Sequence, residues 1–446
     1  MNQDLETKNI PELLFQLSLP AMTSMLISAI YNIVDRIFVE KISPLALTGV
    51  GITMPIQILQ MAFVLLIGIG SSTLISIKLG ERKKEEAEII LHQAFKYIVL
   101  SMAGFSILTL LFLNPILDIL QVSPNVYPYA KDYILVMIIG SLVGLPGFCL
   151  NNSLRAIGKA SVSMKIVVSS AILNIILDPL FIFTFNMGIK GAAIATVISQ
   201  TYVTVLVLWM FIKGKDFPIK LRFKMPSNQS FFKEIMQNGA PSFYMQILAT
   251  FVNIIFNRAV VQYGSDLYLA AMTIVQAIYS FYHMVLVGIV QGAQPICGYN
   301  LGAKKYERVR ETLFLSLGGA FIISISMFAI IQLYPSLLSG IFTSDANLLK
   351  LTNRSMKIYL FMLPLIGLHT VSSQYFQAVG KPKKASILLL LRFGLVLLPL
   401  LFILPRFYGI DGVFISNAIS DLVASTVAVY FIVKELKYLK TQVITN

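Results

Sequence analysis

Residues 79–88 read LGERKKEEAE, and 222 positions later the chain reads LGAKKYERVR (301–310). The same offset joins RAIGKA (155–160) to QAVGKP (377–382). An offset of 221 joins GIKGAAIA (188–195) to GIDGVFIS (409–416), and Pro20 to Pro241. A near-constant offset over such a length marks an internal duplication. The duplicated material is apolar: 57% of the 446 residues are hydrophobic and 13% charged, where a soluble domain carries about 25% charged residues. Long apolar stretches recur, each near the ~20 residues a helix needs to cross a bilayer. Twelve spans are expected, at 13–38, 45–76, 91–113, 132–154, 162–185, 190–212, 236–260, 267–297, 311–334, 355–377, 385–404 and 409–433. Helices are the expected form, because a helix satisfies its own backbone groups in lipid. The fold class is therefore an all-α integral membrane protein of twelve transmembrane helices in two six-helix lobes. Six is even, so both halves enter the membrane the same way up, as a parallel repeat about an axis along the membrane normal. The expected division is an amino-terminal lobe over 1–212, a cytoplasmic linker over 213–233 and a carboxy-terminal lobe over 234–446.

The net charge of +14 is a topology signal, and nucleic acid is not an expected partner. The even-numbered connections between spans hold twenty Lys and Arg: Lys78, Arg82, Lys83 and Lys84; Arg155, Lys159 and Lys165; six in 213–233; Lys304, Lys305, Arg308 and Arg310; and Lys381, Lys383 and Lys384. The odd-numbered connections hold nine. Basic loops stay in the cytoplasm, so both termini are expected there, in a multi-pass protein of the plasma membrane. No cleavable leader is visible, since MNQDLETKNIPE runs straight into a full-length span. Cys149 and Cys297 fall within or at the ends of spans and read as buried apolar thiols.

Missing motifs narrow the function. The chain has no GxxxxGK[ST] and no HExxH, and it carries only three histidines, which argues against a P-loop ATPase or a zinc protease. The glycine pairs Gly140/Gly144 and Gly288/Gly292 have the spacing of helix-packing notches. Duplicated lobes are the usual build of a transporter that alternates access. A membrane enzyme lacks any nucleophile, metal set or phosphate loop here, and no cofactor is expected.

The chemistry lies in carboxylates placed where lipid tolerates them least. Residues 174–183, NIILDPLFIF, set Asp178 in an apolar run, and Asp35 and Asp421 lie in spans 1 and 12. At ~1.5 Å per residue, Asp35, Asp178, Asn174 and Thr196 all fall within roughly 5–15 Å of the outer face. Asn174 is one helical turn before Asp178 and shares its face. Burial penalises a lone carboxylate, and a second one nearby penalises double ionisation. Such a pair would hold one proton, or Na⁺ ligated by carboxylate, amide and hydroxyl oxygens. Pro20 and Pro179 remove backbone hydrogen bonds and permit kinks, so ion occupancy could be coupled to helix bending. A capping or ion-paired Asp, with Arg36 serving Asp35, is the plainer alternative. Asp421 and Arg392 share a depth and read as a buried ion pair, with a substrate counter-ion as the sharper alternative. The run AIYSFYHM (277–284) holds Tyr279, Tyr282, His283 and Met284, which could line a cavity for planar cations or form ordinary core. His283 and His369 read as packing residues near the midplane.

SLPAM (18–22), DRIFV (35–39), LRAIGKA (154–160), NIILDP (174–179) and GAQPICGYNLGAKK (292–305), in this order across twelve spans, resemble the multidrug and toxic compound extrusion (MATE) family. The resemblance covers essentially the whole chain. It implies a cation-coupled exporter that switches between inward- and outward-open states. One branch of that family has a cation site of an aspartate on helix 1, Asn-x-x-x-Asp on helix 5 and a threonine on helix 6. These match Asp35, Asn174, Asp178 and Thr196 here, and a kinking proline on helix 1 matches Pro20. Another branch uses acidic residues on helices 7 and 10, but spans 236–260 and 355–377 contain no Asp or Glu. Coupling is therefore expected in the first lobe. The expected activity is H⁺- or Na⁺-coupled export of amphipathic, often cationic, compounds by a monomeric unit among membrane lipids. A flippase for a lipid-linked oligosaccharide or other lipid cargo is the alternative, and a receptor or scaffold without transport the remaining one.

Overall fold

The computed structural model describes residues 3–214, 217–222 and 230–445. Nine single helices among them are long and apolar enough to cross a membrane. They are span 1 (Ile10–Glu40), span 2 (Pro44–Gly80), span 3 (Lys84–Leu111), span 4 (Tyr127–Ala156) and span 5 (Ala160–Thr184). Then come span 6 (Gly188–Lys213), span 7 (Phe232–Tyr263), span 8 (Asp266–Gly302) and span 9 (Tyr306–Leu333). Span 10 is a bent pair, Ala346–Tyr359 and Leu363–Ala378, meeting at 53°. A last apolar stretch, Pro382–Ile444, contains two spans, because Gly409 leaves the helical region (φ 57°, ψ −137°). Span 11 lies before that glycine and span 12 after it, which completes twelve. Large apolar side chains such as Leu111 (71% exposed) and Leu395 (70%) point outward, as they must where lipid is the solvent.

Three details depart from a plain reading of twelve straight helices. The bend in span 10 falls where Pro364, in the first turn of the second helix, has no N–H for the preceding turn. Span 5 is α-helical only to Pro179 and then widens into a π turn, Leu180–Thr184. Span 11 carries a longer π stretch, Leu390–Leu397.

The duplication is written in the backbone. Left-handed residues recur in pairs at the sequence offset: Arg82 (φ 62°) with Lys304 (58°), Gly158 (79°) with Gly380 (67°), and Gly188 (54°) with Gly409 (57°). Glycine carries no Cβ penalty there.

The chain gathers into two compact units, one of Met1–Glu6 with Thr23–Phe243, the other of Thr7–Met22 with Tyr244–Asn446. Span 1 thus changes unit two residues past Pro20, and span 7 two residues past Pro241. In the first unit, Gly140, Gly144 and Gly147 of span 4 lie directly against Val197, Gln200 and Thr204 of span 6, and a Cβ at any of them would collide. In the second, Gly288 and Gly292 of span 8 receive Met22 and Ser18 of span 1 in the same way, and Ser18 Oγ donates to the Ile289 carbonyl at 3.3 Å. Where lipid gives no hydrophobic drive between helices, such close approach supplies the packing.

Part of the 213–233 segment docks on the first unit. Ile219 and Leu221 are buried, and the Lys220 and Phe231 amides donate to Glu88 and Gln93 at 3.1 and 2.8 Å. Two of its basic residues, Lys215 and Lys224, lie outside the described residues.

Candidate functional site

Within the first unit, spans 1, 5 and 6 bring Asp35, Asn174, Asp178 and Thr196 to one place. The last α turn of span 5 before Pro179 sets Asn174 above Asp178, and the Asn174 amide donates to Asp178 Oδ1 at 3.3 Å. The same amide reaches Thr196 Oγ1 at 3.5 Å. The carboxyl groups of Asp35 and Asp178 lie near enough to interact electrostatically. Asp178 and Asn174 are almost completely buried, at 0% and 2% exposure. Span 6 is held close because Gly191, near its start, sits against the Phe181 and Ile182 backbone of the π turn.

Three buried acceptors in this cluster have no donor: Asp35 Oδ1, Asp178 Oδ2 and Asn174 Oδ1. Acceptors facing one another at low dielectric require a positive charge or a shared proton. The donor set suits a proton or a hard monovalent cation. Among the described residues, no group of three or more His, Cys, Asp and Glu side chains gathers as a metal site.

Arg36 lies near enough to interact electrostatically with Asp35, while its Nη2 reaches Met54 Sδ at 3.7 Å. Two tyrosines that sequence reasoning passed over, Tyr31 and Tyr133, lie near enough to interact electrostatically with both carboxyls. Tyr31 is one turn before Asp35 on the same helix, so its i,i+4 spacing was readable. Tyr133 comes from span 4, and no pattern in its own helix points to the carboxyls.

The second unit contains the remaining candidates. Arg392 and Asp421 form a buried pair, Nε to Oδ1 at 2.6 Å. Tyr279 stacks on His283 (ring centroids 5.7 Å apart), and both are half-buried, as is Met284. Tyr282 turns into the apolar core, where its hydroxyl meets Ser324 Oγ at 2.6 Å. His369 is buried, with Nε2 3.3 Å from the Leu388 carbonyl. Both cysteines are buried free thiols. Pro20 lies inside span 1, ten residues from its first, and Pro179 ends the α-helical part of span 5.

Two six-helix halves of one repeat, with a charged cluster buried among helices, make up a secondary transporter. The MatE family model matches the chain twice, over residues 20–180 and 241–403, each match opening on one of the paired prolines. The chain belongs to this family, the MATE transporters, and is a multi-pass membrane protein and not an enzyme. It is similar to multidrug export protein MepA of Staphylococcus aureus (strain MSSA476), 27% identical over 420 residues, 93% of this chain and 92% of that one. The MepA of Staphylococcus haemolyticus (strain JCSC1435) is 26% identical over 430 residues, covering 96% and 94%. Among solved structures, the MATE multidrug transporter DinF-BH is 38% identical with a TM-score of 0.86, covering 96% of both chains. An outward-facing MATE family transporter of the MOP superfamily shares the fold, with TM-score 0.90, 23% identity and 98% of both chains covered.

Proposed function

We propose that this transporter is an antiporter exporting amphipathic, often cationic, organic compounds by alternating access, driven by returning H⁺ or Na⁺. The observation that carries the reading is the pair of neighbouring carboxyls, half-buried Asp35 and buried Asp178, which with Asn174 hold three buried oxygens without donors. The names of the relatives support the cargo class: MepA is a multidrug export protein, and DinF-BH a multidrug transporter. With H⁺ as the ion, one carboxyl is protonated and donates to the other. With Na⁺, Asp35, Asp178, Asn174 Oδ1 and Thr196 Oγ1 supply the ligands. In either case one positive charge offsets one of the pair's two negative charges and relieves their repulsion, and each ion moved across the membrane field gains ~2.3 kcal/mol per 100 mV.

Pro20 and Pro179 leave a backbone carbonyl without its N–H on each flanking helix, so spans 1 and 5 can bend when the carboxyls gain or lose their ion. The transport unit is one chain in the plasma membrane, surrounded by lipid, with lobes 1–212 and 234–446 joined by 213–233 and both termini cytoplasmic. The basic even-numbered connections support that orientation.

The test is efflux of a fluorescent organic cation from pump-deficient bacteria, with wild type and Asp178→Asn compared at equal membrane insertion. Each is run with and without Na⁺ and with a protonophore. Efflux that needs one ion gradient and vanishes in the variant supports the reading and names the ion. Full activity in Asp178→Asn overturns it.

A further inference from the structure

The same helix crossing recurs in the second unit with different chemistry. Residues 188–200, GIKGAAIATVISQ, align with 409–421, GIDGVFISNAISD, at an offset of 221, with six of thirteen positions identical. The structure obeys this alignment. Both segments open on a left-handed glycine, Gly188 and Gly409. Thr204 Oγ1 donates to the Gly144 carbonyl at 2.8 Å, and Ser425 Oγ to the Leu365 carbonyl at 3.0 Å, so donor and acceptor are both displaced by 221. Ser199 and Ser420, also equivalent, each mark the crossing with the preceding span. Ser170 Oγ donates to the Ser199 carbonyl at 2.7 Å, and Ser420 Oγ to the Arg392 carbonyl at 2.6 Å.

Under this alignment Thr196, at the first unit's cation cluster, corresponds to Asn417, and Gln200 to Asp421. Asn417 donates to Asp421 Oδ2 at 3.1 Å. The partner helix is equivalent too, since DPLFIF (178–183) matches LPLLFI (398–403), and each carries a π stretch beside its proline. Such stretches occur frequently at functional sites. At the position of Asp178 span 11 has Leu398, and its charged residue, Arg392, lies six residues earlier, level with the Ser420 crossing that matches Ser170 and Ser199. The Arg392 guanidinium bonds Asp421 and lies near enough to the Tyr279 side chain to interact with it electrostatically. Asp421 is 1% exposed and Arg392 6%, so neither charge is shared with water.

We propose that at this crossing of the second unit the Arg392 guanidinium is a tethered cation on Asp421, and that removing this side chain opens a binding site for a small planar cation. The acceptor is already in place: the Asp421 carboxylate, held from its far side by Asn417, with the Tyr279 side chain near the place of the guanidinium. A cation that is part of the chain cannot exchange, so this cluster stays charge-neutral in every state of the cycle. The proposal does not depend on the transport reading, because its readout is binding.

The experiment is chemical rescue. Purified Arg392→Ala is melted in detergent with millimolar ethylguanidinium chloride or NaCl, beside wild type and the double variant Arg392→Ala/Asp421→Asn. Without additive, Arg392→Ala melts lower than wild type by on the order of 5 °C, because an unpaired buried charge is left behind. Ethylguanidinium restores much of that loss saturably in Arg392→Ala, and has no such effect on wild type or on the double variant. No saturable stabilisation of a folded Arg392→Ala, or equal stabilisation of the double variant, overturns the proposal. Should Arg392→Ala fail to fold, Arg392→Lys and Arg392→Gln decide it. Near-wild-type melting of Lys with a large loss for Gln supports a required cation, and equal melting of the two refutes it.

Discussion

Thr196 and Asn417 stand 221 residues apart at matching turns of spans 6 and 12, and their surroundings differ in charge. Thr196 meets Asn174, whose amide also holds Asp178, with Asp35 facing that carboxyl. Asn417 holds Asp421, whose other oxygen is bonded by Arg392. The first cluster has two acids and buried oxygens without donors, while both carboxylate oxygens of Asp421 are satisfied. A duplicated design has thus kept its scaffold and changed its net charge at one crossing. The first version needs something from outside to be neutral, and the second does not.

The largest contrast should appear in transport. Asp35→Asn and Asp178→Asn should each reduce gradient-driven efflux to the vector background at normal insertion, since each removes one of the two carboxyls that hold the ion. The double variant Arg392→Leu/Asp421→Leu should keep the wild-type ion requirement, even with a lower rate. An altered ion requirement in that variant would place coupling in both units and break the comparison.

Stability should invert the order. Asp421→Leu leaves the guanidinium buried and unpaired, which costs about 3–5 kcal/mol, whereas removing both partners is often near neutral. Asp35→Asn relieves two acids facing one another, so its melting temperature should equal or exceed that of wild type. Thermal melting of purified protein in detergent checks both, and a clear loss in Asp35→Asn would show that the first cluster is already neutralised by the chain.

Much of this asymmetry was readable in one dimension. The offset of 221–222 exposes the repeat, and Asn174/Asp178 announce themselves by their i,i+4 spacing in an apolar run. Thr196 could be placed in the same layer from depth, because a helix converts sequence distance into height at ~1.5 Å per residue, and the family resemblance named it. Depth also set Arg392 and Asp421 level. The contribution of Tyr133 was not readable, since it depends on how span 4 lies against the others. That packing is set by the contacts of Gly140, Gly144 and Gly147 with span 6, and a glycine motif does not name its partner. The π stretches escaped as well. They change helix register without changing composition, and span 11 has only Leu, Arg, Phe, Gly and Val over 390–397. The bend of span 10 was visible in principle at Pro364, but the apolar run continues through it.

A smaller difference should separate the two hydroxyl-to-carbonyl bonds that the repeat conserves. Ser425 Oγ donates to the Leu365 carbonyl. Thr204 Oγ1 donates to Gly144 and also accepts from the Gly147 amide at 3.0 Å. Each such bond contributes about 1 kcal/mol net, so Thr204→Val should lower stability roughly twice as much as Ser425→Ala. Equal losses would mean that the amide contact of Gly147 contributes nothing beyond geometry.

The smallest effect lies in the loops that first revealed the duplication. Glu81 of LGERKK corresponds to Ala303 of LGAKKY, so only the first loop carries an acid at that position. Partial burial disfavours its charge, but Lys83 at 3.0 Å and Lys78 at 3.2 Å prevail and hold the carboxyl below its ordinary value of 4.5. A carboxyl with a lowered folded value binds its proton less readily folded than unfolded. Its contribution is therefore present at neutral pH and fades as acid takes the pH down through that lowered value. The group is half-buried at the surface and screened, so the effect should be slight and salt-sensitive. Melting of wild type and Glu81→Gln between neutral pH and pH near 4 should show curves that differ at neutral pH and converge in acid. The matching substitution Ala303→Gln should shift the whole curve without changing its slope. A pH-independent gap for Glu81→Gln would mean that the glutamate acts through packing, and that the two loops differ in shape and not in charge.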